Sequence, residues 1–212
     1  MENFLHIAEP VALARPRGAH RFEAFSPKLA RRLTFYRRAL LEQWLLLEAD
    51  PAVITFCERP GYVHVDGQQR LADFLVRYVD RQEELVILDD LRADDHTAKF
   101  HRDLDGAALS VRRVSAADLA AARVWIDNWQ RMLPCVVANR GLVSPSLPRA
   151  IERFLTHPRK LLAIEREFST GDPVLVRTAV FGMLHAGQLR APDLHTQALS
   201  LLTSFVTAEA NS

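Results

Sequence analysis

The stretch from Leu40 to Asp89 does most to limit how this chain can fold, because its hydrophobic period changes once, abruptly, from that of a helix to that of strands. Upstream of Asp50-Pro51, Phe35, Ala39, Glu42, Leu45, Leu46 and Ala49 share one stripe at helical spacing. Ser26 as N-cap and Pro27 in the first turn predict that this helix begins at residue 26, and Asp50-Pro51 predicts that it stops near Ala49. Downstream, Val53–Glu58, Tyr62–Val65, Arg70–Tyr78 and Glu84–Asp89 are predicted strands, separated by Pro60-Gly61, the hairpin signal Asp66-Gly67 and a turn near Asp80-Arg81. A helix with one apolar stripe, followed at once by short strands, is satisfied by a mixed sheet with the helix packed on it, an α/β arrangement.

Further along, Asp94-Asp95 is expected to cap a short helix through Leu104, and Ala107–Val114 to form another strand. Ser115 then caps a helix from about Ala116 to Leu133, and Pro134, Gly141, Pro145 and Pro148 mark a boundary region. Beyond it the pattern is helical: Pro148–Leu155, Arg159–Phe168 after His157-Pro158, and a helix opened by Asp172-Pro173 that ends at His185, with Gly187 as its stop. Gln188–Ala191 suits a short β-wing. Three short helices followed by a wing outline a winged-helix domain. The expected division is an N-terminal arm over 1–25, a first domain over 26–140 and a mostly helical second domain over 141–212.

The 212 residues are 49% hydrophobic and 25% charged, a globular mixture, with a formal charge of only +1. That balance supplies no global attraction to nucleic acid and leaves only local patches to provide one. Arg149, Arg153, Arg159, Lys160 and Arg166 form the densest basic set of the second domain, by default a solvated face and alternatively, through Arg149, Arg153, Arg159 and Lys160, a set of phosphate contacts. Arg15, Arg17, His20 and Arg21 pose the same choice in the arm, where a solvated tail is preferred. Helix 174–185 occupies the recognition position of a winged helix, but Val174, Leu175, Val176, Ala179 and Val180 suit docking to a partner better than reading bases. Trp125 and Trp129, four apart, suit core packing, and the five-residue spacing of His96 and His101 does not align them on one helix face. Cys57 and Cys135 lack metal-ligand spacing and are expected reduced. No apolar run of signal-peptide type follows Met1–Phe4, and none approaches the roughly 20 residues that span a bilayer, so a cytoplasmic protein without a membrane partner is expected.

Three acids carry the chemistry that can be read from the residues: Glu42 on the helix stripe, and Asp73 and Asp89 on neighbouring strands. Arg38, four residues before Glu42, offers it a salt bridge; burial on the stripe would otherwise demand another partner or a metal. Carboxylates on a helix and adjacent strands are what a magnesium-dependent phosphodiesterase needs, since the metal binds through a few oxygens, keeps waters and activates one of them. A lysine beside them normally offsets the charge that grows in the transition state.

The run Leu41-Glu42-Gln43-Trp44 through Asp50-Pro51 to Glu58-Arg59-Pro60 resembles the start of the TnsA-type transposon endonuclease domain, in which a helix-borne Glu is followed by an acid-proline turn into a strand ending in "EQP". Arg70-Leu71-Ala72-Asp73-Phe74-Leu75-Val76 is similar to that family's "tPDFlv" strand, with Ala72 in place of proline, and Leu85-Val86-Ile87-Leu88-Asp89 stands where the family has "lvEVK" or "lvQVK". The match covers roughly residues 26–115, and Gly187–Leu194 with Leu199, Ser200 and Thr203 is similar to the winged helix that follows the nuclease in such proteins. The resemblance implies a restriction-endonuclease-like mixed sheet flanked by helices. It also implies Glu42 and Asp73 as metal ligands for Mg2+ or Mn2+, with Asp89 as a candidate third and Lys99, on the following helix, as a candidate for the migrated lysine. Ile87 replaces the family's Glu or Gln, and Asp89 its lysine; one change removes an oxygen donor and the other reverses a charge, which points to cleavage that is weak or lost. The implied partners are transposon-end DNA, a DDE-type transposase subunit and an AAA+ ATPase regulator. The alternative is a non-catalytic, DNA-associated scaffold or adaptor on the same fold.

Overall fold

The computed structural model describes residues 9–65, 68–79, 84–88 and 110–208. Within it the chain divides into two compact units, one of residues 1–47 and 52–119 and the other of Glu48–Pro51 with Ala120–Ser212. The architecture is mixed α/β, with small sheets and six helices among the described residues.

The first unit opens with a hairpin, β1 (Phe22–Ser26) paired antiparallel with β2 (Arg31–Phe35). The helix predicted from Ser26 therefore begins later, as α1 (Arg38–Ala49). The physical reason lies in two local features. Leu33 and Phe35 are buried alternately with more exposed neighbours, the period of a strand. Ser26 uses its hydroxyl as a cap, but on a turn: the oxygen accepts the Leu29 N–H at 3.1 Å, and Ala30 takes a left-handed φ of 52°.

The main sheet has the order β3 (Val53–Glu58), β6 (Phe74–Tyr78), β7 (Glu84–Leu88), β8 (Ser110–Val114). The first two pairings are antiparallel and the last is parallel, so the sheet is mixed as expected. The strand predicted over Arg70–Tyr78 is broken: β5 (Gln68–Leu71) pairs with β4 (Tyr62–Val65) in a separate hairpin, and Ala72-Asp73 carries the chain into β6. An aromatic chain ties the layers together, with Trp44 of α1 5.9 Å from Phe35, Phe35 6.3 Å from Phe74, and Phe74 6.3 Å from Phe56.

Ser115 caps the next helix through a reciprocal box: its N–H and hydroxyl both donate to the Asp118 carboxylate, and its oxygen accepts the Asp118 N–H. The helix predicted from 116 to 133 is two helices, α2 (Ala116–Ala121) and α3 (Arg123–Asn139), and α3 runs through Pro134. Burial of Ile126, Trp129, Met132 and Leu133 on one face of α3 outweighs the helix-breaking tendency of that proline.

In the second unit α3 is followed by α4 (Ser146–Phe154), β9 (Arg159–Lys160), α5 (Leu161–Phe168), α6 (Val174–His185), β10 (Leu189–Arg190) and β11 (Ser204–Thr207), with β11 central in an antiparallel sheet ordered β10-β11-β9. The predicted helix start at Arg159 is thus a strand, and the helix begins at Leu161. The end of α6 is as its sequence dictates: the Asp172 carboxylate accepts the Val174 N–H at 2.9 Å, and Gly187 closes the other end with φ 73°. No helix among the described residues is long and apolar enough to cross a membrane.

Candidate functional site

Asp73 sits in the break between β5 and β6, where its backbone and side chain both engage β7. Its N–H donates to the Val86 carbonyl at 3.1 Å, and its carboxylate accepts the Leu88 N–H at 2.8 Å. The β6–β7 register pairs Phe74 with Val86, so one further step sets Asp73 across from Ile87. The second carboxylate oxygen accepts from the Arg37 guanidinium at 2.7 Å. Glu42 lies one turn into α1, where Arg38 donates to it through Nε at 2.8 Å. Both carboxylates are nearly buried, at 9% and 8% exposure, and each is thereby neutralised by one of two consecutive arginines at the start of α1. The salt-bridge alternative for Glu42 is the one realised in this geometry.

A third buried acid, Glu58 at the end of β3, was not among the candidate ligands. Arg31 of β2 grips it with two bonds of 2.8 and 2.5 Å, and Arg59 Nη2 lies 3.8 Å away. The hydrogen bonds to Glu58 raise the Arg31 guanidinium above its ordinary pKa, outweighing the desolvation that lowers it. Arg59 itself has a left-handed φ of 50° and is clasped by the N-terminal arm: Val11 N–H donates to its carbonyl at 2.8 Å, and its Nε donates to the Val11 carbonyl at 2.9 Å. The Arg59 N–H in turn donates to the Asp73 carbonyl at 2.9 Å.

Asp89, Lys99, His96 and His101 lie outside the described residues. Among those described, no three or more His, Cys, Asp or Glu side chains are grouped to hold a metal ion. Arg37 and Leu88 N–H between them engage both carboxylate oxygens of Asp73, and Arg38 engages one of Glu42. With both carboxylates already accepting from guanidinium groups and no third described acid, His or Cys grouped with them, the described donors do not by themselves fit a magnesium site. What the arrangement does is set three buried acids within hydrogen-bonding distance of arginines.

The candidate DNA-contacting residues part company. Arg149 and Arg153 are exposed, one turn apart on α4, with Arg153 Nε donating to the Arg149 carbonyl at 3.2 Å. Lys160 is exposed on β9. The Arg159 guanidinium lies 5.0 Å from the centre of the Phe154 ring, engaged by an aromatic face. None of the residues of α6 is exposed, and seven of its twelve are buried, so it serves as an interior helix packed by its own unit. In the arm, Arg15 donates to the Ala19 carbonyl and Arg21 pairs with Glu23.

Two further buried polar groups hold the second unit. Asn128, 1% exposed, donates to the Leu194 and Gln197 carbonyls and accepts the Leu199 N–H, fixing the segment between β10 and β11. Fully buried Glu48 lies 3.0 Å from His185 Nε2. Trp129 belongs to the core, and Trp125 stacks on His195 at 4.1 Å. Cys57 and Cys135 are both free thiols. No known family model matches this chain, and no curated protein sequence matches it significantly.

Proposed function

We propose that this chain is a TnsA-like subunit of a heteromeric DNA transposition complex, related to metal-dependent endonucleases that cut transposon 5′ ends, and that its own cleavage activity is weak or lost. The observation that carries the reading is the setting of Asp73. It stands at a strand break, opposite the position where the family keeps its Glu or Gln, with Arg37 bonded to its carboxylate and Arg38 bonded to Glu42. An active site would need those acids available to Mg2+ or Mn2+; here guanidinium groups already neutralise them.

The first unit is read as a restriction-endonuclease-like domain on the strength of its helix followed by a mixed sheet. The second is read as a winged helix because its elements after α3 run helix, strand, helix, helix, strand, strand, with the last strand central. The partners proposed are transposon-end DNA, a DDE-type transposase and an AAA+ ATPase regulator, with a cytoplasmic location.

Purified protein incubated with transposon-end DNA, its transposase partner and Mg2+ or Mn2+ is expected to bind the assembly without efficient 5′ cleavage. Cleavage that Asp73→Ala abolishes would overturn the inactive reading, and failure to bind either DNA or partners would overturn the assignment. The arginine-held acids suit a purely non-catalytic adaptor equally well. Calorimetric titration with Mn2+ distinguishes a usable ligand set from one occupied by arginine, and transposase and ATPase genes beside the coding sequence favour the transposition subunit over an isolated adaptor.

A further inference from the structure

The three-stranded sheet of the second unit has two unlike faces. Leu189 of β10 and Phe205 of β11 are buried on the inner one. Cross-strand partners in an antiparallel pair share a face, so the pairs Arg190–Val206 and Lys160–Ser204 lie together on the outer one, two residues apart along β11. The Ala208 N–H bond to the Gln188 carbonyl, 2.9 Å, extends the same face by one more pair. The outward positions are therefore Lys160, Ser204, Val206, Arg190, Gln188 and Ala208, and none is acidic. Lys160 and Arg190 are both exposed, sit on opposite edge strands, and make no ion pair among the described residues. Two strand spacings and a two-residue offset separate their Cα atoms by about 12 Å, within reach of two phosphates of one duplex.

We infer that this outer face is a sequence-independent contact surface for the phosphate backbone of duplex DNA, with Lys160 and Arg190 each neutralising a phosphate. The inference rests on the DNA-associated reading above and gives it a location that the sequence did not mark, since Arg190 stands outside the basic cluster. Cations at both edges and no acid between them suit a polyanion, and the Ser204 hydroxyl and Gln188 amide add neutral donors for phosphate oxygens. The burial of α6 closes the alternative of reading bases from that helix. The face carries no aromatic ring, so it offers no stacking platform for the bases of a single strand. It is also held firmly: Leu161 and Leu162 donate to the Thr203 and Leu201 carbonyls, at 2.9 and 3.0 Å, and Asn128 fixes the preceding segment.

The test uses the full chain and a short, labelled, random-sequence duplex, with binding followed by fluorescence anisotropy across a salt series. The double variant Lys160→Gln/Arg190→Gln is expected to reduce the slope of log K against log salt by about 1.8, two phosphates at roughly 0.9 each. Arg149→Gln/Arg153→Gln is expected to leave the slope unchanged, and circular dichroism of each variant checks that it is folded. Wild-type binding with an unaltered slope in the Lys160/Arg190 variant overturns the location while leaving DNA association intact, as does a slope lowered only by the Arg149/Arg153 variant. Tighter binding to a single strand of equal length overturns the duplex assignment. A wild-type chain that binds no DNA removes both the inference and the reading beneath it.

Discussion

Arg37 and Arg38 are neighbours in sequence yet hold different acids, and their loss should be felt differently. Arg37→Ala strips a charged partner from an almost buried carboxylate; because the guanidinium is 40% exposed and screened, a loss of about 1–2 kcal/mol is expected instead of the full cost of orphaning an interior charge. Arg38→Ala breaks an i,i+4 pair with a more exposed arginine and should cost less than about 1 kcal/mol. Denaturant midpoints of the two variants check the order, and an equal or reversed effect contradicts it. Asn128→Ala should be worse than either, since it orphans two carbonyls and an N–H at roughly 1–3 kcal/mol for each group that stays dry. The sequence displays Glu42 and Asp73 because each sits in a short, ordered motif. It does not display Glu58 as the partner of Arg31, nor Asn128 as the clamp on residues 194–199. Those pairs lie 27 and about 70 positions apart and are created only by folding.

Helices α2 and α6 have ends that invite direct tests. Asp118 receives two hydrogen bonds from Ser115, which hold its carboxyl below the ordinary aspartate value. A depressed folded value stabilises the native state above the ordinary aspartate range, and that stabilisation is lost as pH falls through the folded value. Asp118→Ala should therefore be less stable than wild type near neutrality, with the gap closing in acid; a gap constant with pH contradicts the linkage. At the end of α6, a Cβ on Gly187 would meet Pro51 Cβ at 2.7 Å while the backbone holds φ 73°. Gly187→Ala is expected to cost more than the roughly 1–2 kcal/mol of a left-handed alanine alone, seen as a lowered thermal midpoint. Strong local signals, such as Ser115, Asp172 and Gly187, made these ends legible in the sequence. Ser26-Pro27 misled because a serine hydroxyl caps a turn as readily as a helix, and the alternation that decides for a hairpin spans only Leu33 to Phe35.

At the level of the whole molecule, the Pro- and Gly-rich stretch near residue 140 suggested a boundary, whereas contacts group residues from Ala120 onward, together with Glu48–Pro51, into the second unit. A unit assembled from two separated stretches leaves no compositional trace, because its four-residue insert is the end of a helix. Glu48 faces His185 and Pro51 lies against Gly187, so a fragment of residues 120–212 would lack both. Such a fragment should unfold at a lower temperature than the same unit does within the full chain; an equal midpoint shows that those four residues are dispensable.

Residues 1–25 read as a solvated, partly ordered arm, but Val11 is stitched to Arg59, and Arg59 to the main chain of Asp73. A protease that nips off this leader also unfastens a residue held in a twisted backbone pose, and the slack passes to the footing of the acid two bonds away.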